Sequence, residues 1–171
     1  NIAGGAGDGP NNERHNAGEV YVVFGRPDLP RDIDLNANPP QDLLVVYGAD
    51  GGENSPDRLG EEIVTADING DGLADMLLGA YRADGPGNSR PDAGDVCVVY
   101  GARDLPGRVI DLVDPPEGTM LIYGARDQAI AGDAIAAGDI HGDGYDDLFI
   151  GVPGDDGPLD RPFSGGIVVI A

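Results

Sequence analysis

A nine-residue segment that returns 72 positions downstream limits this chain to architectures built by stacking like units. Asp67-Ile-Asn-Gly-Asp-Gly-Leu-Ala-Asp75 recurs as Asp139-Ile-His-Gly-Asp-Gly-Tyr-Asp-Asp147. The run Ala17-Gly18-Glu19-Val-Tyr-Val-Val-Phe24 recurs as Ala93-Gly94-Asp95-Val-Cys-Val-Val-Tyr100, and again as Ser164-Gly165-Gly166-Ile-Val-Val-Ile170. Gly25-Arg-Pro-Asp-Leu-Pro30 matches Gly101-Ala-Arg-Asp-Leu-Pro106, Ile33-Asp-Leu35 matches Ile110-Asp-Leu112, and Leu44-Val-Val-Tyr-Gly48 matches Leu121-Ile-Tyr-Gly124. One such unit is too small to bury its own apolar face, so its neighbours must cover it.

Each unit reads as four short strands. The first lies at 62–66 and 134–137, and the second at 1–3, 76–79 and 148–151. The third lies at 20–24, 96–100 and 167–170, and the fourth at 43–47 and 120–123. β-Branched and aromatic residues fill these runs, whereas Gly, Pro, Asp and Asn fill the joints. No window carries a sustained helical period with caps. The expected fold class is all-β, with β-propeller-type blades of four-stranded antiparallel sheets. Residues 59–131 form one complete blade, flanked by partial blades at 1–58 and 132–171, all within one repeat domain spanning 1–171. A propeller closes with four to eight blades, so these are too few to close a ring alone. Open blade edges favour head-to-tail addition of other copies, in a ring or a filament.

The charge is one-sided. There are 31 acidic and 10 basic residues, a formal net charge of -21, and every basic residue is arginine. Such a surface repels nucleic acid and anionic membranes, which excludes both as partners. It attracts divalent cations, and a high-salt habitat would select the same composition. No apolar stretch approaches the length of a membrane span, so direct insertion is not expected. The single cysteine, Cys97, lies inside Val96-Cys97-Val98-Val99 and reads as a buried structural thiol.

The segment Asp67-x-Asn69-x-Asp71-Gly72-x-x-Asp75 places oxygen side chains at positions 1, 3, 5 and 9, with the backbone carbonyl of Leu73 at position 7. Ca²⁺ takes six to eight oxygens at about 2.3–2.6 Å, which this spacing supplies once a water is added. Two carboxylates about 4 Å apart repel by roughly 4 kcal/mol at an effective dielectric near 20, and a dication reverses that sign. Position 12 is Leu78 in one copy and Ile150 in the other, not the Glu that closes an EF-hand. The loop therefore joins two strands. The second copy supplies Asp139, His141, Asp143, Tyr145 (by its carbonyl) and Asp147. Imidazole is a poor ligand for a hard cation. Three outcomes are open at His141, in this order: the ring turns away and water takes its place, the site is weaker, or it prefers a transition metal. Asp146 reads as a solvated neighbour of Asp147. About two calcium ions are expected per chain. The loops at 82–93 and 154–164 have irregular ligand spacing and read as exposed turns, and His15 as a solvated surface residue.

The motif Asp-x-Asn-Gly-Asp-Gly-x-x-Asp followed by Leu77-Leu78-Gly79-Ala80, and Asp147-Leu-Phe-Ile-Gly151-Val-Pro153, resemble FG-GAP repeats. Tyr47-Gly48 and Tyr123-Gly124 resemble the aromatic-Gly half of that signature. Such repeats build the propeller of integrin α chains and of related bacterial surface proteins. The resemblance implies calcium held in blade hairpins, an extracellular or cell-surface setting, and a role in adhesion or scaffolding with a protein or surface ligand. Catalysis has no support in the sequence: it holds no nucleophile elbow, no phosphate-cradling glycine loop and no histidine cluster. The expected function is thus a non-enzymatic, calcium-binding extracellular structural or adhesion protein. The alternative is a non-catalytic propeller accessory domain cut from a larger secreted enzyme.

Overall fold

The computed structural model describes residues 2–3, 7–35, 42–52, 56–156, 161–162 and 164–171. Among these, the chain forms eleven strands and no α-helix: β1 (Ile2–Ala3), β2 (Glu19–Val23), β3 (Leu43–Tyr47), β4 (Ile63–Ala66), β5 (Asp75–Ala80), β6 (Asp95–Val99), β7 (Val109–Asp111), β8 (Thr119–Tyr123), β9 (Ile135–Gly138), β10 (Asp147–Val152) and β11 (Gly166–Ile170). They build three sheets, ordered β1-β2-β3-β7, β4-β5-β6-β8 and β9-β10-β11. The all-β reading holds. Asn1, expected in the first strand, lies outside the described residues.

The middle sheet is the complete blade, antiparallel throughout, with Leu78 opposite Ile63 on one side and Cys97 on the other. Its residues alternate between two cores. Met76, Leu78, Ala80, Cys97 and Val99 face the first sheet, against Val20, Val22, Leu44 and Val46. Leu77, Val96 and Val98 face the third sheet, against Ile135, Leu148, Ile150 and Val152. A strand buried on both faces needs an apolar run, which Met76–Ala80 supplies, and no position of Asp75–Ala80 is exposed. Burying each such Leu or Val contributes roughly 1.5–3 kcal/mol. Cys97 is buried in this layer, and burial pushes its thiol up to about 12.

The first sheet departs from the expected pattern. Its fourth strand, β7, belongs in sequence to the next unit, between β6 and β8, and pairs parallel with β3. Leu43 O accepts from Gly107 N (3.0 Å), Val45 N donates to Arg108 O (3.1 Å), and Leu112 N donates to Tyr47 O (3.1 Å). Ile110 of this strap and Leu112 just after it are buried between the first two sheets. The first sheet is therefore strapped across its outer edge by the following unit, a parallel pairing that four-stranded antiparallel units do not contain.

The seams between units are made by backbone. Ala17 O accepts from Leu59 N (2.9 Å), and one unit later Ala93 O accepts from Ala131 N (2.9 Å). The third sheet has no fourth strand among the described residues. Ile167, Val168, Val169 and Ile170 of its last strand are 42–71% exposed, an open edge of the kind that proteins normally cover.

Candidate metal centre

Each Asp-rich segment is the hairpin between the first and second strands of a blade, β4 to β5 and β9 to β10. Positive φ at Gly70 (72°) and Gly72 (81°), and at Gly142 and Gly144, lets the chain curl tightly enough to point its N–H groups inward. The side-chain oxygens follow. Asp67 Oδ1 and Asn69 Oδ1 both accept from Asp71 N (3.1 and 2.9 Å), Asp67 Oδ2 from Gly72 N (2.8 Å), and Asp71 Oδ1 from Leu73 N (2.8 Å). Asp75 is fully buried. Its Oδ2 accepts from Ile68 N (3.0 Å) and its Oδ1 from Gly101 N (2.7 Å), so one carboxylate ties the loop to the chain beyond β6.

The second loop repeats this with one change. Asp139 accepts from Gly142 N (2.6 Å), Asp143 N (3.3 Å) and Gly144 N (2.9 Å), and Asp143 Oδ1 from Tyr145 N (3.0 Å). The Gly144 bond, then the Gly142 bond, hold the Asp139 carboxyl below its ordinary range. Asp147 is buried and accepts from Ile140 N (2.8 Å).

His141 does not turn away, which corrects the order of outcomes expected for it. Its Nδ1 lies 3.1 Å from Asp147 Oδ2 and its Nε2 3.1 Å from Asp143 Oδ2. The bond to Asp147, then the charge of Asp143, raise the imidazole above its usual range. Three of the loop's four aspartates, Asp139, Asp143 and Asp147, act on the ring, and their field favours its charged form. Donor atoms of Asp139, His141 and Asp147 all lie within 4.8 Å of one another, the one such trio of His, Cys or carboxylate groups among the described residues. Asp67, Asp71 and Asp75 are spread wider.

Asp146 is not a bystander either. Its Oδ2 accepts from Asp67 N (3.0 Å), and its own N–H donates to Asp67 O (3.1 Å). The Tyr145 ring lies against Gly70, where an added Cβ would sit 2.4 Å from Cε1. The two loops are thus joined directly. Leu73 is half-buried and Tyr145 exposed.

The donor set of the first loop, Asp67, Asn69, Asp71 and Asp75, offers only oxygen, the chemistry a hard dication takes, although its carboxylates lie farther apart than the trio of the second loop. The second loop mixes oxygen with imidazole, a softer set. Bound there, a dication supplies charge neutralisation, and the residues that would hold it are those named, with the Leu73 and Tyr145 carbonyls.

The FG-GAP repeat model matches residues 59–99 and 131–170. These two stretches are FG-GAP repeats. Among curated proteins, phosphatidylinositol-glycan-specific phospholipase D from Homo sapiens is 36% identical over 99 residues, and that from Mus musculus 37% over 99 residues. Each match covers 56% of this chain and 11% of the relative's length.

Beside the first FG-GAP repeat lies a groove of about 460 Å³, lined by Asp50, Asp57, Asp84, Asp95, Leu59 and Leu112 among others. Burial pushes both Asp57 and Asp95 up to about 7. Asp95 Oδ1 is buried without a hydrogen-bond partner. A carboxyl whose folded pKa exceeds its unfolded value carries no charging cost below about pH 4, and loses stability as pH rises through about 7. Asp95→Asn is therefore expected to stabilise the chain by about 1–2 kcal/mol at pH 8, after allowance for solvent screening. It should change little near pH 4. Urea midpoints at the two pH values measure this, and an equal shift at both would refute the charge explanation.

The loop at 82–93 is better ordered than an exposed turn. Asp84 Oδ1 accepts from Asp92 N (2.8 Å), and Arg90 Nη1 donates to Gly124 O (2.6 Å). Its copy at 8–16 does the same: Asp8 Oδ1 accepts from Asn16 N (3.0 Å), and Arg14 Nη1 donates to Gly48 O (2.7 Å). His15 stays largely exposed against Asp8. The signal was present as Asp8-Gly9-Pro10 with Arg14, repeated as Asp84-Gly85-Pro86 with Arg90. Residues 157–160 and 163 of the loop at 154–164 lie outside the described residues.

Proposed function

We propose that this chain is a calcium-stabilised, non-catalytic structural or adhesion module that works outside the cell. The observation that carries the reading is the first hairpin loop, where four oxygen-bearing side chains, Asp67, Asn69, Asp71 and Asp75, accept from the N–H groups of the bend between two strands. A dication held there offsets the repulsion among Asp67, Asp71 and Asp75 and pins β4 to β5. The second loop does the same for β9 and β10 through Asp139, His141, Asp143 and Asp147. Millimolar extracellular calcium suits modules of modest affinity. No helix among the described residues is long and apolar enough to cross a membrane.

At a hundredfold excess over its dissociation constant, each ion adds about 2.7 kcal/mol. Removing calcium with a chelator should lower the melting temperature by roughly 5–10 °C per site. Asp71→Ala should lower it similarly in calcium and halve the chelator's effect. Superimposable melting curves with calcium and with chelator would end this reading. The exposed edge of β11 supports a further step, head-to-tail addition of copies. Sedimentation in calcium should then reveal particles larger than a monomer, and a monomer at all concentrations would remove that step.

The similarity to the phospholipases supports a second reading, in which the chain is the accessory part of a larger secreted enzyme. The intact mass of the native polypeptide separates the two, because an accessory domain sits in a chain that also holds a catalytic segment.

A further inference from the structure

The outer edge of β8 is built like the outer edge of β3, yet no strand among the described residues lies along it. On β3, the strap β7 is held by three backbone bonds and by a two-pronged ion pair, Arg14 Nη1 to Asp111 Oδ1 and Nη2 to Asp111 Oδ2, both 2.7 Å. Arg14 is placed by its loop, whose Asp8 O accepts from Arg14 N (2.7 Å) and whose Arg14 O accepts from Ala17 N (3.1 Å). Asp84, Arg90 and Ala93 repeat these bonds at 2.8 and 3.1 Å. Arg90 lies 76 positions after Arg14, as Gly124 lies 76 after Gly48, and it grips Gly124 O as Arg14 grips Gly48 O. The acceptor half of the joint is therefore preformed.

The apolar half is present too. Met120 and Ile122 are only partly covered against the core between the second and third sheets. Tyr123 is 40% exposed, whereas its counterpart Tyr47, beside the strap, is half-buried. Transferred by the same offset, the register that sets Val109, Ile110 and Asp111 opposite Val45, Val46 and Tyr47 puts an incoming strand opposite Leu121, Ile122 and Tyr123. Its aspartate then falls beside Arg90.

We infer that the outer edge of β8, with Arg90, is a docking site for an extended Ile-Asp-Leu strand supplied by another repeat, added in parallel to the sheet. Backbone bonding at a sheet edge gives such sites their affinity, and side-chain pockets with the ion pair give their selectivity. The chain carries a second copy of the donor itself. Ile33-Asp34-Leu35 matches Ile110-Asp111-Leu112, and Leu35 is 36% exposed where Leu112 is 8%. The site does not depend on calcium in the hairpin loops.

The test uses the full chain and a fluorescent peptide with the sequence of residues 107–114, Gly-Arg-Val-Ile-Asp-Leu-Val-Asp. Saturable binding by anisotropy is expected, together with slower hydrogen exchange at Leu121 N–H, the counterpart of Val45 N–H. Replacing the peptide's first aspartate by asparagine, or Arg90→Gln in the chain, should weaken binding roughly fivefold, the equivalent of about 1 kcal/mol. Arg126→Gln removes the same charge elsewhere and should leave the affinity unchanged. No saturation, equal binding by both peptides, or protection at a site other than β8 would overturn the inference.

Discussion

Replacing Asp75 by alanine is expected to cost roughly 3–5 kcal/mol, the largest loss of any single side chain in the hairpin loops. Asp75 is wholly buried, and its two oxygens accept from Ile68 N and Gly101 N. Alanine leaves both N–H groups without their acceptor, at about 1–3 kcal/mol each, and opens a small void. The loss also falls on a strategic place, since Gly101 lies just past β6 and Ile68 just past β4. The carboxylate thus ties the loop across the width of the blade. Asp71→Ala touches one exposed N–H bond, to Leu73, and in the absence of calcium should cost under about 1 kcal/mol. Denaturant titration in chelator separates the two. A loss below 1 kcal/mol for Asp75→Ala, with an unchanged denaturant slope, would show that water reaches these N–H groups.

Gly94→Val is expected to cost at least about 3 kcal/mol and to loosen the third sheet before the others. Gly94 has φ +76°, and a Cβ built there lies 2.2 Å from Ala131 O and 2.3 Å from Ala131 N. These are backbone atoms at the seam between the two FG-GAP repeats, where Ala131 N donates to Ala93 O. They cannot swing aside as a side-chain tip would, so the seam must open. A β-branched residue at positive φ adds its own strain. Gly87→Ala is the control, because it shares positive φ (65°) but has nothing within 4 Å of its Cβ. Conformation alone should then cost it about 1 kcal/mol. Hydrogen exchange should show β9–β11 losing protection first in Gly94→Val. Uniform loss across all three sheets would place the weakness elsewhere.

Much of this fold was legible in the residues. The runs Leu43–Tyr47, Met76–Ala80 and Val96–Val99 are apolar almost throughout, and central strands buried on both faces demand that composition, whereas Val20–Val23 buries alternate residues. The hairpin loops were legible as oxygen-rich bends with glycine where φ is positive. Both FG-GAP repeats were visible through the recurrence of those loops with the strands that follow them.

What escaped the sequence was whatever depends on a distant unit. Val109–Asp111 is too short to carry a period of its own, and its destination, β3 of the preceding unit, is a matter of packing. Its trace was the recurrence of Ile-Asp-Leu inside what otherwise reads as a loop. The direction of His141 follows from the carboxylates around it, which the spacing names, but where they converge is set only by the folded loop. Asp146 was read beside Asp147, its neighbour in sequence, whereas its partner is Asp67 in the other loop. The ion pair of Arg14 with Asp111 likewise spans 97 positions.

By itself, the sequence determined the repeating strand, the apolar layers and the two oxygen-lined bends, because each is written in spacings shorter than about ten residues and local backbone chemistry obeys such spacings. Only the tertiary structure decided how units are joined: which edge receives a strap, which loop touches which, and which edges stay open. Those contacts pair groups from different repeats, and near-identical repeats offer several equivalent partners until packing chooses among them.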